Sequence, residues 1–286
     1  MKKILILGST GMMGSTFSML LKSNKKFKIL CIYKDIKKIK FLKLKKDQKT
    51  KINVNNFDEL KKTIYKFNPD YIINCVGLIK QLFKNKNIFN AKYLNYIFPK
   101  KLSKLAEKKK FKIIHLSTDC VFSGKKGSYL ESDKTDAKDF YGISKLKGEI
   151  KSKYILNIRT SIIGHEINSK HSLLNWFLGQ KKVNGFKYAF FSGLTTLELS
   201  KIIIDQIILK NKISNGLFHI SGPKISKLNL LKIIKKIYKT KTIINIDNDF
   251  KIDRSLNSSK FRKKFNLKIK SWPIMIKELK SFNENI

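Results

Sequence analysis

A short apolar run, Ile4-Leu-Ile-Leu7, stops at Gly8-Ser-Thr-Gly11-Met-Met-Gly14, and Ser15 to Leu21 continues as a helix. An uninterrupted apolar run so near the start suits a strand buried on both faces of a parallel sheet. Glycines at this spacing, between a strand and a helix, let the backbone turn sharply and approach a pyrophosphate. Such a group would face the free N–H groups of the helix N-terminus. The turn therefore predicts nucleotide binding.

The pattern continues along the chain. Strands are expected at Phe27–Tyr33, Lys51–Val54, Tyr71–Val76, Phe111–Leu116 and Tyr154–Arg159. Helices are expected at Phe57–Phe67, Asn90–Lys109 (broken only by Pro99) and after Tyr141. Alternation of this kind predicts an α/β, doubly wound (Rossmann) parallel sheet, with ligands at the carboxyl ends of the strands. Past residue 160 the alternation fails. Helical patches are expected around 171–178, 197–209, 228–238 and 272–282, with short strands at 216–220 and 242–246. Residues 1–160 are expected to form an NAD(P)-binding Rossmann domain, completed by about 187–214. Residues 161–286 would form a smaller α+β substrate-binding lobe.

Directly after the second strand stand Lys34 and Asp35. An acidic residue here would serve a ribose 2′-hydroxyl and a basic one a 2′-phosphate. Lys34, the nearer of the two, leans the expectation toward NADP, with NAD as the other candidate. Gly77, after the fourth strand, lets a cofactor lie across the strand end. Thr118 follows the fifth strand and Tyr141-Gly-Ile-Ser-Lys145 follows a polar loop. On a helix Tyr141 and Lys145 lie one turn apart on the same face. A nearby cation favours the phenolate and lowers the tyrosine pKa, and Thr118 could offer a hydroxyl to the same carbonyl oxygen.

The 62 basic residues outnumber the 20 acidic ones and give a formal charge of +42. Only Arg159, Arg254 and Arg262 are arginines, however, and the lysines are spread over the whole chain. Specific nucleic-acid recognition favours arginine's bidentate fork, so the charge reads as compositional bias. Cys31, Cys75 and Cys120 are widely spaced, which fits neither a disulfide framework nor a zinc site. His115, His165, His171 and His219 show no ligand spacing, so no metal is expected. No signal peptide and no apolar stretch of membrane-spanning length is visible, and the expected setting is the cytoplasm.

With these residues in hand, the chain resembles the extended short-chain dehydrogenase/reductase superfamily and, within it, the dTDP-4-dehydrorhamnose reductase family. The carriers are GSTGMMG at 8–14, PDYIINCVG at 69–77, LSTDCVFSG at 116–124 and YGISKLKGE at 141–149. IRTSIIG at 158–164, SGLTTLELSKII at 192–203 and DRSLNSSKF at 253–261 extend it over nearly the whole length. The resemblance implies reduction, by NAD(P)H, of the 4-keto group of a nucleotide-linked deoxysugar, in the supply of cell-surface polysaccharide precursors. Tyr141 would donate the proton, Lys145 would assist it and hold the nicotinamide ribose, and Thr118 would bind the substrate oxygen. Gly8, Thr10, Gly11, Met12 and Met13 would cradle the pyrophosphate and Lys34 would meet the adenosine ribose. Asn53 and Val54 would border the adenine, and Cys75, Val76 and Gly77 the ribose and phosphates. Asp119, Ile162 and Arg254 would contact the substrate, Arg254 at its diphosphate. Ile162 stands where the family's rhamnose reductases carry a tryptophan against the sugar, so the sugar and the base stay open. A homodimer is the assembly the resemblance admits. The rival expectations are a nucleotide-sugar epimerase or dehydratase and a non-catalytic regulatory subunit on the same fold. Thr118 lacks the following acidic pair of a dehydratase, and an intact Thr118, Tyr141 and Lys145 disfavour the subunit.

Overall fold

A computed structural model describes residues 1–79, 88–211 and 215–284. In chain order its strands begin with β1 (Lys2–Leu7), β2 (Phe27–Tyr33), β3 (Lys49–Lys51), β4 (Tyr71–Asn74), β5 (Lys112–Leu116) and β6 (Ile155–Arg159). The helices among them are α1 (Met12–Leu21), α2 (Ile36–Lys40), α3 (Phe57–Phe67), α4 (Ile88–Lys92), α5 (Phe98–Lys109) and α6 (Phe140–Lys147). There follow β7 (Ile162–Ile163), α7 (Leu173–Leu178), β8 (Lys182–Phe191), β9 (Leu194–Thr195), α8 (Thr196–Ile202) and β10 (Gly216–His219). The chain closes with β11 (Ile225–Ser226), α9 (Lys227–Tyr238), β12 (Ile243–Asp253), α10 (Ser259–Phe265) and α11 (Trp272–Glu284).

Seven strands form one sheet in the order β3-β2-β1-β4-β5-β6-β10. This is the doubly wound order, and the direction of strand addition reverses beside β1, where such sheets take their ligands. Ile4 to Leu7 are all fully buried. Leu5, Leu7, Leu30, Ile32, Ile72 and Ile113 share one cluster with Leu60 and Ile64 of α3 and Leu102 and Leu105 of α5. Their neighbours Ile4, Ile6 and Ile73 face the other side and are also buried, which explains the continuous apolar runs. Parallel register sets Leu7 opposite both Ile32 and Asn74. Gly8, Tyr33 and Cys75 therefore follow the paired residues at one level of the sheet edge.

The expected helix over 90–109 is interrupted earlier than Pro99. Tyr93–Ile97 form a π-helical turn between α4 and α5. Pro99 sits in the first turn of α5, directly after the π-helical turn. The expected third strand lies slightly earlier, at Lys49–Lys51, leaving Asn53 and Val54 in the loop beyond it.

Residues Met1–Ser117, Ser144–Asn157 and Ile204–Gly216 form one compact unit. Thr118–Ile143, Ile158–Ile203 and Leu217–Ile286 form a second. Of the stretch 187–214 expected to complete the nucleotide-binding domain, residues 212–214 lie outside the described residues. Within the second unit β11, β8 and β12 make a three-stranded sheet in that order, and β7 pairs with β9. The strand expected over 242–246 runs on to Asp253 because β12 pairs with β8 for most of its length, with a register shift between Asp247 and Lys251.

Candidate functional site

The glycine turn takes its shape from close backbone packing. Gly8 has φ +73°, a conformation that a side chain disfavours. A Cβ on Gly14 would fall 2.1 Å from the Gly8 carbonyl oxygen, so α1 rests directly on the turn. Gly11 is the N-cap of α1, and its N–H donates to the Gly8 carbonyl at 3.0 Å. No side chain caps this helix start and no acidic residue lies in its first turn. Its first N–H groups are thus oriented for an anion.

Beside the turn lies a cleft of about 610 Å³ within the first unit. Gly8, Thr10, Gly11, Lys34, Asn53, Val54, Cys75, Val76 and Gly77 all line it. Phe89 and Tyr93, which the sequence did not suggest, line it too. Met12 and Met13 open α1 behind the turn, and the Met13 side chain is buried. Asp35 is turned to another task, because its carboxylate caps α2 and accepts from the N–H groups of Lys37 (2.8 Å) and Lys38 (3.1 Å). Lys34 remains exposed at the cleft.

The strand end that crosses this cleft is held by buried amides. Asn74 Oδ1 accepts from the Val76 N–H at 3.1 Å, and its Nδ2 lies 3.1 Å from His115 Nδ1. The amide donates here, so the imidazole accepts at Nδ1. Asn95, fully buried in the π-helical turn, accepts from the Leu78 N–H at 2.9 Å and donates to Ser144 Oγ at 3.0 Å. The wider turn is the local feature that carries this inward-facing amide. A Cβ on Gly77 would stand 3.1 Å from Asn95 Oδ1 and 3.8 Å from Lys145 Nζ. Lys145 is buried, and its ammonium donates to the Leu116 carbonyl at 2.6 Å. Burial lowers its pKa to about 8, against an upward pull from Glu149.

The second unit holds Thr118, Asp119 and Tyr141. Thr118 caps a 3-10 turn over Asp119–Val121, its hydroxyl accepting from the Cys120 N–H at 3.1 Å. That hydroxyl donates to Asp119 Oδ1 at 3.2 Å and is also hydrogen-bonded to Tyr141. A Cβ on Gly142 would stand 2.3 Å from the Cys120 carbonyl oxygen, which seats the start of α6 directly on this turn. The spacing of Tyr141 and Lys145 predicts a lowered tyrosine pKa. Instead burial pushes the Tyr141 hydroxyl above the ordinary phenol range, outweighing the Thr118 hydrogen bond. Desolvation penalises the phenolate and leaves a protonated phenol.

Asp119 is buried and its carboxyl is raised by desolvation, while the charges of Lys227 and Arg254 pull it back. Arg254 donates from Nε to the Phe122 carbonyl at 3.0 Å and reaches Cys120 Sγ at 3.8 Å. Lys227, at the start of α9, places its Nζ 3.8 Å from the Phe191 ring centroid. One lysine among so many carried no signal in the sequence. Ile162 lies half-buried in β7, opposite Leu194. Among the described residues no group of three or more His, Cys, Asp and Glu is arranged for a metal ion. Among them also, no helix is long and apolar enough to cross a membrane.

A sheet of this order, a glycine turn after β1 and a helix bearing Tyr141 and Lys145 define an extended short-chain dehydrogenase/reductase-like protein. The chain belongs to the RmlD substrate binding domain family, whose model matches residues 1–281. It is 23% identical to a dTDP-4-dehydrorhamnose reductase of Aggregatibacter actinomycetemcomitans, over 99% of this chain and 100% of that one. The structure of a hypothetical dTDP-4-dehydrorhamnose reductase from Sulfolobus tokodaii is 25% identical, with a TM-score of 0.74 over 91% of this chain and 94% of that one. A Bacillus anthracis dTDP-4-dehydrorhamnose reductase, solved in complex with NADP, superposes over the full length of both chains at 18% identity, with a TM-score of 0.80.

Proposed function

We propose that the protein reduces the 4-keto group of a nucleotide-linked deoxysugar with NAD(P)H. The observation that carries this reading is the hydrogen-bonded hydroxyl pair of Thr118 and Tyr141, with Lys145 one turn further along the same helix. Membership of the RmlD substrate binding domain family supports it.

The residues present fit a dinucleotide. The uncapped start of α1 and the turn at Gly8, Thr10 and Gly11 suit its pyrophosphate, Asn53 and Val54 its adenine, and Cys75 to Gly77 the ribose and phosphates. Lys145 would hold the nicotinamide ribose. Bound there, the nicotinamide supplies the hydride. Tyr141, kept protonated by burial, gives its proton to the substrate oxygen, while Thr118 hydrogen-bonds that oxygen and orients it. Arg254 and Lys227 bring positive charge to the Asp119 region, suited to a nucleotide diphosphate, with Asp119 as a substrate contact. Ile162 would border the sugar in place of an aromatic platform. In this reading residues 1–160 supply most of the NAD(P)-binding domain and residues 161–286 most of the substrate lobe.

With Asp35 engaged as a helix cap and Lys34 exposed at the cleft, the adenosine end suits a 2′-phosphate. Lys34→Glu is expected to lower the preference for NADPH over NADH by roughly tenfold, the equivalent of one charge-assisted contact. Fluorescence titration with both cofactors checks this, and an unchanged ratio would remove Lys34 from cofactor choice.

The function is tested by incubating the purified protein with several dTDP- and UDP-linked 4-keto sugars, and separately with their 4-hydroxy counterparts, and each cofactor. A reductase consumes NAD(P)H in step with the sugar. Epimerisation or dehydration without net consumption would replace the reading with that chemistry. No turnover of any kind would favour a non-catalytic subunit.

A further inference from the structure

Glu149 has no part in the chemistry described so far. It ends the motif YGISKLKGE, four residues after Lys145 and just past α6. The helical turn continues to it, with the Gly148 N–H donating to the Lys145 carbonyl and the Glu149 N–H to that of Leu146, each at 3.0 Å. Glu149 Oε1 accepts from Ser117 Oγ at 2.6 Å. Ser117 directly follows Leu116, whose carbonyl accepts from Lys145 Nζ at 2.6 Å. Ammonium and carboxylate are therefore fastened to consecutive residues at the end of β5.

Among the described residues, ionisable groups face Lys145 from three elements. Cys75 faces it from the end of β4, His115 from β5 and Glu149 from the end of α6. Burial pushes the Cys75 thiol up to about 12, so it is uncharged near neutrality. Burial likewise holds His115 well below the usual imidazole range, and it stays neutral. Among these three, Glu149 supplies the opposite charge that pulls the buried ammonium's pKa upward. Its position is tightly set, because a Cβ on Gly148 would fall 2.0 Å from the Asn95 carbonyl oxygen.

We infer that Glu149, fixed by Ser117, is a positioning residue that keeps the Lys145 ammonium protonated in the working pH range. The inference rests on the role proposed for Lys145 and acts through that side chain alone. The direction follows from the charges. Burial has already moved Lys145 from 10.5 down to about 8, so it is cationic below that value and loses its charge above it. Removing the carboxylate removes an upward pull and moves the midpoint lower still.

Trace acetylation with acetic anhydride, read at Lys145 by mass spectrometry between about pH 6 and pH 10, reports that midpoint without any need for turnover. Each curve is normalised to its own plateau. Glu149→Gln is expected to move the Lys145 midpoint down by about one unit, Ser117→Ala by less, and Glu149→Asp to restore most of the wild-type value. In the reductase assay the alkaline limb of the kcat profile moves down in parallel, and KM for NADPH well below the midpoint stays unchanged. A Glu149→Gln protein with native circular dichroism and an unmoved midpoint overturns the inference. Should that variant fail to fold, an unmoved midpoint in Ser117→Ala overturns it. A shifted midpoint in a protein that reduces no keto sugar leaves the bracket standing and overturns the reductase reading instead.

Discussion

Tyr141→Phe is expected to lower turnover by roughly two orders of magnitude or more, the scale of acid–base assistance by one positioned side chain. NADPH affinity should stay within about twofold, because the ring remains and only the hydroxyl goes. The structure makes this substitution unusually clean. The side chain is half-buried, and its hydroxyl is hydrogen-bonded to Thr118. Gly142 behind it packs on the Cys120 carbonyl, so the helix start is set by backbone contact and does not depend on the hydroxyl. Stopped-flow oxidation of NADPH with a keto-sugar nucleotide, beside a binding titration, separates the two effects. Undiminished turnover would exclude Tyr141 as the proton donor. Thr118→Val serves as a companion. It should lose less, since it removes an orienting hydrogen bond and leaves the proton source in place.

The second large effect falls at the other end of the chemistry. Gly14→Ala introduces a Cβ whose ideal position lies 2.1 Å from the Gly8 carbonyl oxygen and 2.8 Å from Ser9 Cα. Both are backbone atoms, so relief requires the turn itself to move. Overpacking of this kind costs about 1–3 kcal/mol, and it acts on the peptide groups proposed to meet the pyrophosphate. NADPH affinity should therefore fall by roughly tenfold to a hundredfold. Gly179→Ala is the control, since the nearest atom to its new Cβ is the Trp176 carbonyl oxygen at 3.6 Å. It should bind NADPH as the wild type does. Equal affinity in Gly14→Ala would remove the glycine turn from cofactor binding.

What could be read before the structure was known follows a physical division. The strands of the seven-stranded sheet were visible because burial on both faces demands unbroken apolar runs, and Ile4 to Leu7 is the clearest of them. The glycine turn was visible because a positive φ at Gly8 and a 2.1 Å approach at Gly14 admit almost nothing else. The strand β8 was missed because its lysines, Gly185 and half-exposed pattern blur the alternation. β12 was cut short because Asp247, Asp249 and Asn248 are poor strand formers, and pairing along β8 overrides that preference. The π-helical turn answers to the burial of one asparagine side chain, for which no spacing rule exists.

At the site the same division holds. Nine cleft residues were found because they sit at strand ends that the alternation already placed. Lys227 was hidden by composition. Ser117 and Glu149 were quoted within motifs, but their hydrogen bond spans 32 residues. Arg254 reaches a carbonyl 132 residues earlier in the chain. Contacts over such separations arise from topology, which local pattern does not report. The rise of the Tyr141 pKa was misjudged for a related reason. A neighbouring charge can be guessed from spacing, whereas desolvation depends on everything packed around the ring.

The polypeptide passes five times from one unit to the other, at 117/118, 143/144, 157/158, 203/204 and 216/217. The second of these passages lies inside α6 and leaves Tyr141 on one side and Lys145 on the other. No single cut in the gene can therefore release either unit whole. An exchange of substrate preference between relatives by swapping one contiguous half would separate Tyr141 from Lys145, the pair proposed to act in proton transfer. Such a graft would have to be made in several separate pieces.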